Sequence, residues 1–464
     1  MNAAATLRRA ALAIVALVIQ SVDSASVLAQ GIDRSRFIAT VDSLVAAAID
    51  GGKAAAGMTV GVIKGRDTLL LKPYGYADLE FDVPTPDGAV YEIGSVTKQF
   101  TAASILLLQE QGKLSLEDEV TKYLPDYPTQ GHRITIRRLL DHTSGIKGYT
   151  ELPEFGPFMV RNLPRDSLVA MFSQKPFDFA PGEDQVYNNS AFFLLGLIIE
   201  KVSGVSYASF IKERLFAPNG MSSSRYCDER MIQKKRTHGY DAGPGGLTVK
   251  AYLDQTWPFS AGSLCSTVGD MIAWNRALHG GRVLSPSSYR ELTSPARLAD
   301  GTALRYGMGI SLTNIAGHRS IHHSGGINGY VSESAYFPDD DAIIVVLINT
   351  AGPVSATTMV GRIAAALLGE RVTKPIPLDH PVTDYVGTYR GVGRGAPTVV
   401  AVSADSAGEL QLAVGQAPPA RPTYVGQDRF ERGGLQVSFV RDGERVTRLR
   451  FDTGGGHYVL SRQP

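Results

Sequence analysis

The residues best suited to chemistry lie between positions 92 and 100, where Lys98 follows Ser95 at a spacing of three. Apolar residues then recur at helical spacing, which predicts a helix that begins at the serine. Side chains three positions apart share a helix face, so Ser95 and Lys98 can touch. The unpaired N–H groups of a helix N-terminus attract anions. A nucleophile, an adjacent basic group and N–H donors together indicate an acyl-transfer site.

The Ser-x-x-Lys pattern alone is weak evidence, because it occurs three times in the chain. Ser209 falls within a predicted helix, and Ser144 is followed by glycines that argue against a continuing helix. Only Ser95 follows a glycine and precedes a long apolar run. The alternative for Ser95 is a purely structural cap of the helix.

A second candidate group is Tyr187 with Asn189, the only Tyr-x-Asn pattern in the chain. A neighbouring lysine favours the phenolate form of a tyrosine, which can then accept the proton of Ser95. The Asn189 amide offers both a donor and an acceptor to a substrate amide. The alternative is a loop tyrosine that packs on the following helix.

A third candidate group is the stretch from His322 to Gly326 on a predicted late strand. Adjacent histidines on a strand point to opposite faces, so His322 and His323 cannot hold one metal ion together. The sequence has no His-Glu-x-x-His motif, and no metal site is predicted. Gly325 and Gly326 allow a substrate to approach the strand, whose N–H groups can complete an oxyanion hole with that of Ser95. The alternative is a glycine-rich turn with a packed histidine.

The order and rough spacing of these three motifs resemble the serine β-lactamase and penicillin-binding superfamily. The resemblance is strongest to the branch of class C β-lactamases, D-alanyl-D-alanine carboxypeptidases, D-aminopeptidases and esterases, and it covers roughly residues 35 to 370. It implies an α/β fold of the α+β type, in which helices flank an antiparallel sheet and form a separate lobe. The motifs that carry it are Ser95-x-x-Lys98, Tyr187-x-Asn189 and His323-Ser324-Gly325, with Leu139 to Gly145 and Ala261-Gly262-Ser263 in support.

The resemblance also implies a role for each residue, with no metal and no organic cofactor. Ser95 attacks the acyl carbon, while either Lys98 or Tyr187 is the general base. The Ser95 and Gly326 N–H groups bind the oxyanion. The residues implied to contact the substrate are Asn189, Ser324, Gly325 and Gly326.

His323 is a departure, because many members of the superfamily carry lysine at that position. The imidazole is implied to donate to a substrate carboxylate or to relay a proton, and its charge depends on pH. This favours a peptidase or esterase over a β-lactamase. We therefore expect an exported serine hydrolase that forms an acyl-enzyme with D-amino-acid peptides, peptidoglycan fragments, β-lactams or carboxylic esters. The alternative is a penicillin-binding sensor or scaffold that is acylated without efficient turnover.

The chain divides into four predicted segments. Residues 1–29 have the basic start, apolar run and small residues of a signal peptide, so the mature protein is expected to be periplasmic or secreted, with no stable membrane span. Residues 30–372 form the hydrolase domain, and prolines mark residues 373–382 as a linker. Residues 383–464 alternate apolar and polar positions, which predicts an all-β, barrel-like module with a weak resemblance to lipocalin-like modules.

The composition of the chain limits the classes of binding partner that we expect. The chain has 464 residues and a net charge of +1, so no global field recruits nucleic acid or acidic membranes. A small-molecule or peptide substrate fits this balance, and the oligomeric state stays open. In an exported protein Cys227 and Cys265 are predicted to form a disulfide, the alternative being two separate buried thiols.

Four local predictions bear on how the site is built. The early strands Met58–Ile63 and Asp67–Leu71 are expected to form a hairpin and to pair with the late strands in one antiparallel sheet. A further strand is predicted at Met308–Leu312. Ser190 is expected to cap the helix that follows Tyr187, and residues 217–260 are expected to be mostly loop.

Overall fold

The computed structural model describes residues 33–372, 374–393, 396–432, 434–453 and 456–464. The predicted signal peptide, residues 1–29, lies outside these described residues. Within them no single helix is long and apolar enough to cross a membrane, although the bent pair Asn189–Ser203 and Tyr207–Asn219 meets the length and composition criteria when taken together.

The α-helices of the described chain are, in order, α1 (Arg34–Ile49), α2 (Thr97–Glu110), α3 (Ile136–Leu140), α4 (Phe155–Phe158), α5 (Arg165–Ser173), α6 (Asn189–Ser203), α7 (Tyr207–Ile211), α8 (Phe259–Gly262), α9 (Val268–His279), α10 (Pro286–Leu292), α11 (Ala356–Leu368) and α12 (Val382–Tyr385). The strands are, in order, β1 (Gly57–Lys64), β2 (Asp67–Asp78), β3 (Val83–Pro84), β4 (Tyr91–Glu92), β5 (Gln185–Val186), β6 (Arg225–Tyr226), β7 (Tyr240–Gly243), β8 (Gly246–Val249), β9 (Leu264–Ser266), β10 (Ser311–Ile315), β11 (His318–Ile327), β12 (Tyr330–Phe337), β13 (Ala342–Ile348), β14 (Thr350–Ala351), β15 (Gly387–Gly393), β16 (Ala396–Ala404), β17 (Leu410–Val414), β18 (Thr423–Gly426), β19 (Arg429–Arg432), β20 (Leu435–Asp442), β21 (Arg445–Asp452) and β22 (Gly456–Arg462).

A seven-stranded sheet forms the centre of the predicted hydrolase domain, which we call the catalytic domain. Its strand order is β10-β11-β12-β13-β1-β2-β3. The predicted pairing of early and late strands is confirmed, because β1 and β13 are antiparallel neighbours with Val60 opposite Val346. Both faces of β13 are covered. Ile344 and Val346 pack with helices α1 and α11, whereas Ile343 and Val345 face the larger core of the helical lobe. Alternation along a strand explains this division.

Helix α6 lies in the helical lobe and is apolar almost all round, which suits a helix surrounded by other elements. Its predicted cap at Ser190 is wrong. The side chain of Asn188 caps the helix, accepting a bond of 2.9 Å from the Ala191 N–H, while Ser190 Oγ accepts from the Tyr149 N–H at 2.9 Å. The helix ends at Gly204, which adopts the left-handed conformation that terminates helices.

One further prediction needs correction. The strand expected at Met308–Leu312 begins only at Ser311, because Gly309 has a φ of +64° and the chain turns there. A Cβ on Gly309 would lie 2.7 Å from the Lys98 carbonyl oxygen, so helix α2 and this turn pack closely. Residues 217–260 are mostly loop, as predicted, and they contain the short strand β6 and the hairpin β7–β8.

Strands β15 to β22 form a second, curled antiparallel sheet in the order β17-β16-β15-β22-β21-β20-β19-β18. Its buried side chains form a separate apolar core that includes Tyr389, Val437 and Leu460. Strand β5 of the catalytic domain joins the edge of β22, where Val186 pairs with Gly456. The β-rich module is thus hydrogen-bonded to the catalytic domain.

The predicted disulfide between Cys227 and Cys265 is confirmed. It links the end of β6 to β9, and β9 also pairs with β4. Because β4 ends at Glu92, the disulfide braces the strand that leads directly into the segment containing Ser95.

Candidate active site

Ser95 lies in a single 3₁₀ turn, Gly94–Val96, immediately before α2. The preceding residue fixes the turn, because the Ile93 N–H donates to Leu264 and its carbonyl accepts from Ser332 Oγ at 2.8 Å. Gly94 has a φ of +50°, and a Cβ there would lie 2.9 Å from the Gly326 nitrogen. Only glycine therefore lets the turn approach strand β11 this closely.

Lys98 is fully buried one turn after the serine. Its Nζ lies 3.2 Å from Ser95 Oγ, 2.8 Å from Asn189 Oδ1 and 2.9 Å from the Ala261 carbonyl oxygen. Three acceptors match the three N–H groups of an ammonium. In the neutral amine, two hydrogens suffice for Asn189 and Ala261, which leaves the lone pair directed at Ser95.

Tyr187 lies on the other side of Lys98, whose Nζ is 4.6 Å from the centre of the phenol ring. A cation at this distance stabilises a phenolate. The structure thus brings Lys98 into contact with Ser95 and places Tyr187 beside Lys98, and the choice between Lys98 and Tyr187 as the base stays open. The ring of His142 packs behind Tyr187, with the ring centres 4.4 Å apart.

Asn189 is the first residue of α6, and this position aims its side chain at the nucleophile. The Oδ1 atom accepts from Lys98, and Nδ2 donates to Thr150 Oγ1 at 3.2 Å. Asn189 and Thr150 also line the cavity beside Ser95. The amide is thus oriented by its neighbours where a substrate can reach it.

A buried chain of hydrogen bonds connects the Tyr187 segment to β11. The Asn188 N–H donates to His142 Nδ1 at 3.1 Å, and His142 Nε2 lies 3.2 Å from Tyr306 Oη. Tyr306 Oη lies 2.9 Å from His323 Nε2, and His323 Nδ1 lies 2.6 Å from the Ser324 carbonyl oxygen.

The two ends of this chain determine the direction of every bond in it. A backbone N–H can only donate, and a carbonyl can only accept. His142 therefore carries its proton on Nε2 and donates to Tyr306, which donates to Nε2 of His323. His323 carries its proton on Nδ1, so both imidazoles are neutral. Burial raises the pKa of Tyr306 well above the usual value, which keeps the phenol protonated as this order requires.

His323 thus lies close to the other motifs, but its two ring nitrogens are bonded within the protein. Burial, and then the nearby charge of Lys98, lowers the pKa of His323 to about 3, and the side chain is 3% exposed. The geometry does not favour the expected contact with a substrate carboxylate. Adjacent Ser324 is exposed, and His322 points to the opposite face, where Nδ1 lies 3.0 Å from Glu333.

A cavity of about 170 Å³ opens beside Ser95. None of the described residues that line it carries a formal charge, and three of them are aromatic. The lining is Gly94, Ser95, Tyr149, Thr150, Phe155, Asn189, Leu253, Trp257, Pro258, Ala261, Gly262, Gly326, Ile327 and Asn328. Such a pocket suits an apolar group of the substrate.

The remaining candidate residues lie in other arrangements. Lys147 forms an ion pair of 2.7 Å with Asp178, so the Ser144 motif does not repeat the Ser95 geometry. Within the described chain, one acidic and histidine group has metal-ligand spacing, namely Asp78, Glu80 and His238. It is largely exposed, and His238 Nδ1 lies 3.3 Å from Asp78 Oδ2 and 3.7 Å from Glu80 Oε2, so contacts between its own members explain it.

Tyr306 and the aromatic wall of the pocket were missed by sequence reasoning. Their roles depend on contacts across long stretches of chain. Tyr306 meets a residue 164 positions away. The sequence offered a partial signal for Tyr306, because its partner His142 lies in the Leu139 to Gly145 stretch that supports the resemblance.

The fold and this arrangement define a serine hydrolase, with an antiparallel sheet between helices and a Ser-x-x-Lys pair at the start of α2. A family model described as Beta-lactamase matches residues 41–368. The chain belongs to the β-lactamase family.

Comparison with individual relatives supports this family assignment. Penicillin-binding protein 4* of Bacillus subtilis (strain 168) is 32% identical over 311 residues, which are 63% of this chain and 67% of that protein. The D-aminopeptidase of Brucella anthropi is 30% identical over 310 residues, 64% of this chain and 57% of that one. The matched part of the chain thus spans about two thirds or less of these relatives' lengths.

Solved structures extend the comparison. The octameric penicillin-binding protein homologue from Pyrococcus abyssi has a TM-score of 0.65 and 25% identity, covering 91% of this chain and 100% of its own. A D-stereospecific amidohydrolase from Streptomyces sp. has a TM-score of 0.61 and 26% identity, covering 72% of this chain and 99% of its own.

Proposed function

We propose that this chain is an exported amidohydrolase that uses Ser95 to cleave amides or esters of amino acids with apolar side chains, and that its substrates lack a free carboxylate next to the scissile bond. The observation that carries the proposal is the contact of Ser95 Oγ with Lys98 Nζ, 3.2 Å apart, at the edge of an uncharged aromatic pocket.

In the proposed reaction Ser95 Oγ attacks the acyl carbon while Lys98 or Tyr187 takes its proton. The N–H groups of Ser95 and Gly326 stabilise the oxyanion. The proton then passes to the leaving amine or alkoxide as the bond to the acyl carbon breaks. Water, activated by the same base, releases the acid and restores Ser95.

The pocket supports the choice of acyl group. Phe155 and Trp257 lie with their ring centres 5.5 Å apart, and Tyr149 lies 6.1 Å from Trp257. The Tyr149 hydroxyl donates to the Trp257 carbonyl at 2.7 Å, which keeps this wall rigid. An apolar side chain gains the free energy of leaving water in such a site.

The absence of charge among the described lining residues supports the choice of leaving group. A carboxylate taken out of water needs a cationic or strongly donating partner. His323 is neutral and its ring nitrogens are bonded to Tyr306 and Ser324. A substrate that ends in an amide or ester avoids this cost.

The D-configuration of the substrate is proposed from the relatives, whose names specify D-aminopeptidase and D-stereospecific amidohydrolase activity. Export is proposed from residues 1–29 and is consistent with the disulfide, since disulfides persist in oxidising compartments.

Matched substrate pairs test this proposal. The purified protein and its S95A variant are given D- and L-phenylalanine amide, and an N-acyl-D-alanyl-D-alanine as free acid and as C-terminal amide. We expect the D-amide to be preferred to the L-amide, and the C-terminal amide to exceed the free acid by at least about tenfold in kcat/KM. Faster hydrolysis of the free acid would contradict the proposed substrate class.

The alternative of a penicillin-binding sensor predicts a different result for these four substrates, and labelling with a penicillin completes the comparison. It predicts stoichiometric acylation of Ser95 by a penicillin and no sustained turnover of any of the four substrates. Continuous hydrolysis that S95A abolishes would exclude it.

A further inference from the structure

The segment before Tyr187 is held by the C-terminal module. Strand β5 pairs with β22, so that Val186 lies opposite Gly456 and Gln185 lies opposite His457. Val186 is buried in the apolar core of the module together with residues such as Leu460. Val186, the residue next to the candidate base Tyr187, is therefore part of the module's sheet.

The other side of β5 contacts the hydrogen-bonded chain behind the active site. The Val186 N–H donates to the His142 carbonyl at 3.1 Å, and Gln185 Nε2 donates to the Asp141 carbonyl at 3.3 Å. His142 has a φ of +64°, a strained conformation that a non-glycine residue keeps only when its surroundings hold it. Strand β5 thus lies between the module and His142 and is hydrogen-bonded to both.

A second contact joins the module to the centre of the same chain. Arg305 Nη2 donates to the Gly434 carbonyl at 2.7 Å, to the Asp452 carbonyl at 2.9 Å and to Asp452 Oδ1 at 3.1 Å. Both side chains of this ion pair are largely buried. Tyr306, the phenol between the two histidines, is the next residue after Arg305.

The segment before Arg305 is also attached to the module. Arg450 on β21 forms an ion pair with Asp300 and a hydrogen bond with Thr302. The module therefore binds both catalytic-domain segments that meet behind Tyr187, at β5 and at residues 300–305.

We propose that the C-terminal module positions Tyr187 for catalysis through the β5–β22 strand pair and the Arg305–Asp452 ion pair. Asp452 and Arg305 are then positioning residues, since they act through Tyr306 and β5 and do not line the described pocket. This inference rests on the proposed function, because it requires that Tyr187 take part in the reaction of Ser95.

Four single variants and the D452A/R305M double variant of the full-length mature protein test the inference. D452A removes the side-chain acceptor, D452N keeps an oxygen that can accept from Arg305, and R305M acts from the catalytic domain. The matched control is E409A, which breaks the exposed Glu409–Arg421 pair of the same module, 2.9 Å long. The measurements are kcat and KM for p-nitrophenyl acetate, the rate of Ser95 labelling by a fluorophosphonate, and the thermal midpoint.

We expect D452A and R305M to lower kcat roughly tenfold or more, because small displacements of a reacting group are costly. KM should change by less than about twofold, since other segments line the pocket. D452N should recover most of the rate, the D452A/R305M double variant should lose no more than either single variant, and E409A should match the wild type. A purely structural role predicts a lower thermal midpoint without this division between kcat and KM.

Two results would overturn the inference. If the wild type is labelled at Ser95 and both D452A and R305M react at the wild-type rate, the module does not position Tyr187, while the proposed function stands. If the wild type itself is not labelled at Ser95, the proposed function fails and the inference fails with it. R305M also resolves the case in which D452A does not fold, because it leaves every residue of the module in place.

Discussion

His323 shows how burial changes the chemistry available to a residue. The resemblance implies a donor to the substrate at this position, yet the ring lies inside the protein between Tyr306 and the Ser324 carbonyl. With its proton on Nδ1 and a bond accepted at Nε2, the imidazole stays neutral at physiological pH. Its contribution is to hold strand β11 and Tyr306 in a fixed relation.

The neutrality of His323 predicts a specific pH dependence of stability. Its folded pKa of about 3 lies below the unfolded value of 6.5, so unfolding takes up a proton between these pH values. The stability contributed by the neutral ring is complete above pH 6.5 and is lost as the pH falls. From pH 7 to pH 5 the wild type should lose about 2 kcal/mol more than H323N, measured by denaturant unfolding. Parallel losses in the two proteins would show that His323 is not held neutral.

Phe155 should influence which acyl groups are accepted. It lies at the wall of the pocket against Trp257, and part of its ring remains accessible. F155A removes apolar contact area from a bulky acyl group but little from a small one, so kcat/KM should fall about tenfold for a D-phenylalanine p-nitroanilide. The D-alanine p-nitroanilide is the control and should change by less than about threefold. Equal losses on both substrates would mean that Phe155 does not contact the acyl side chain.

The elements around Ser95 are fixed by different kinds of information in the sequence. The contact between Ser95 and Lys98 follows from helical spacing, and the pairing of β1 with β13 follows from two apolar strands that need neighbours. The corrected cap at Asn188 differs by two positions from the predicted Ser190, since both residue types cap helices equally well. Neighbouring packing made that choice, because Ser190 is bonded to Tyr149.

Tyr306 could not be predicted in this way. Its phenol joins His142 and His323, which lie 164 and 17 positions away. No periodicity in a single segment encodes such a contact. The pairing of β22 with β5 could not be predicted either. Neither strand has a distinctive residue pattern, and the two strands are far apart in the chain.

The disulfide that joins the end of β6 to β9 should contribute measurably to the free energy of unfolding. Cys227 and Cys265 close a loop of 38 positions, and this length corresponds to about 4 kcal/mol of lost chain entropy in the unfolded state, with 2–4 kcal/mol as the typical measured effect. The C227A/C265A variant should therefore unfold at a lower temperature than the wild type. Reducing agent should lower the wild-type midpoint and leave the variant unchanged, and a reductant effect on both proteins would assign the loss to another cause.

At the scale of the whole molecule, the catalytic domain and the β-rich module form one hydrogen-bonded unit. Val186 belongs to the apolar core of the module, although it is the residue before Tyr187. An ion pair between Arg305 and Asp452 reinforces the same junction. The relatives and solved structures share the catalytic part of this unit, and the Pyrococcus abyssi homologue covers 91% of the chain.

Export is the prediction that belongs to this scale. If residues 1–29 are a signal peptide, a mature protein that begins near Gln30 should accumulate in the periplasm or the medium of an expressing bacterium. Cell fractionation with intact-mass measurement checks this, and substitution of the apolar residues 11–18 by polar ones supplies the control, which should stay in the cytoplasm. A full-length product in the cytoplasmic fraction of both would contradict export.

The most direct test of the central claim is the mass of the protein during hydrolysis of a short-chain p-nitrophenyl ester, compared between the wild type and S95A. The arrangement of Ser95, Lys98 and Tyr187 predicts continuous release of p-nitrophenol and a transient acyl adduct on the peptide that contains Ser95. S95A should show neither. Hydrolysis by S95A at the wild-type rate, or an adduct on another residue, would contradict the assignment of Ser95 as the nucleophile.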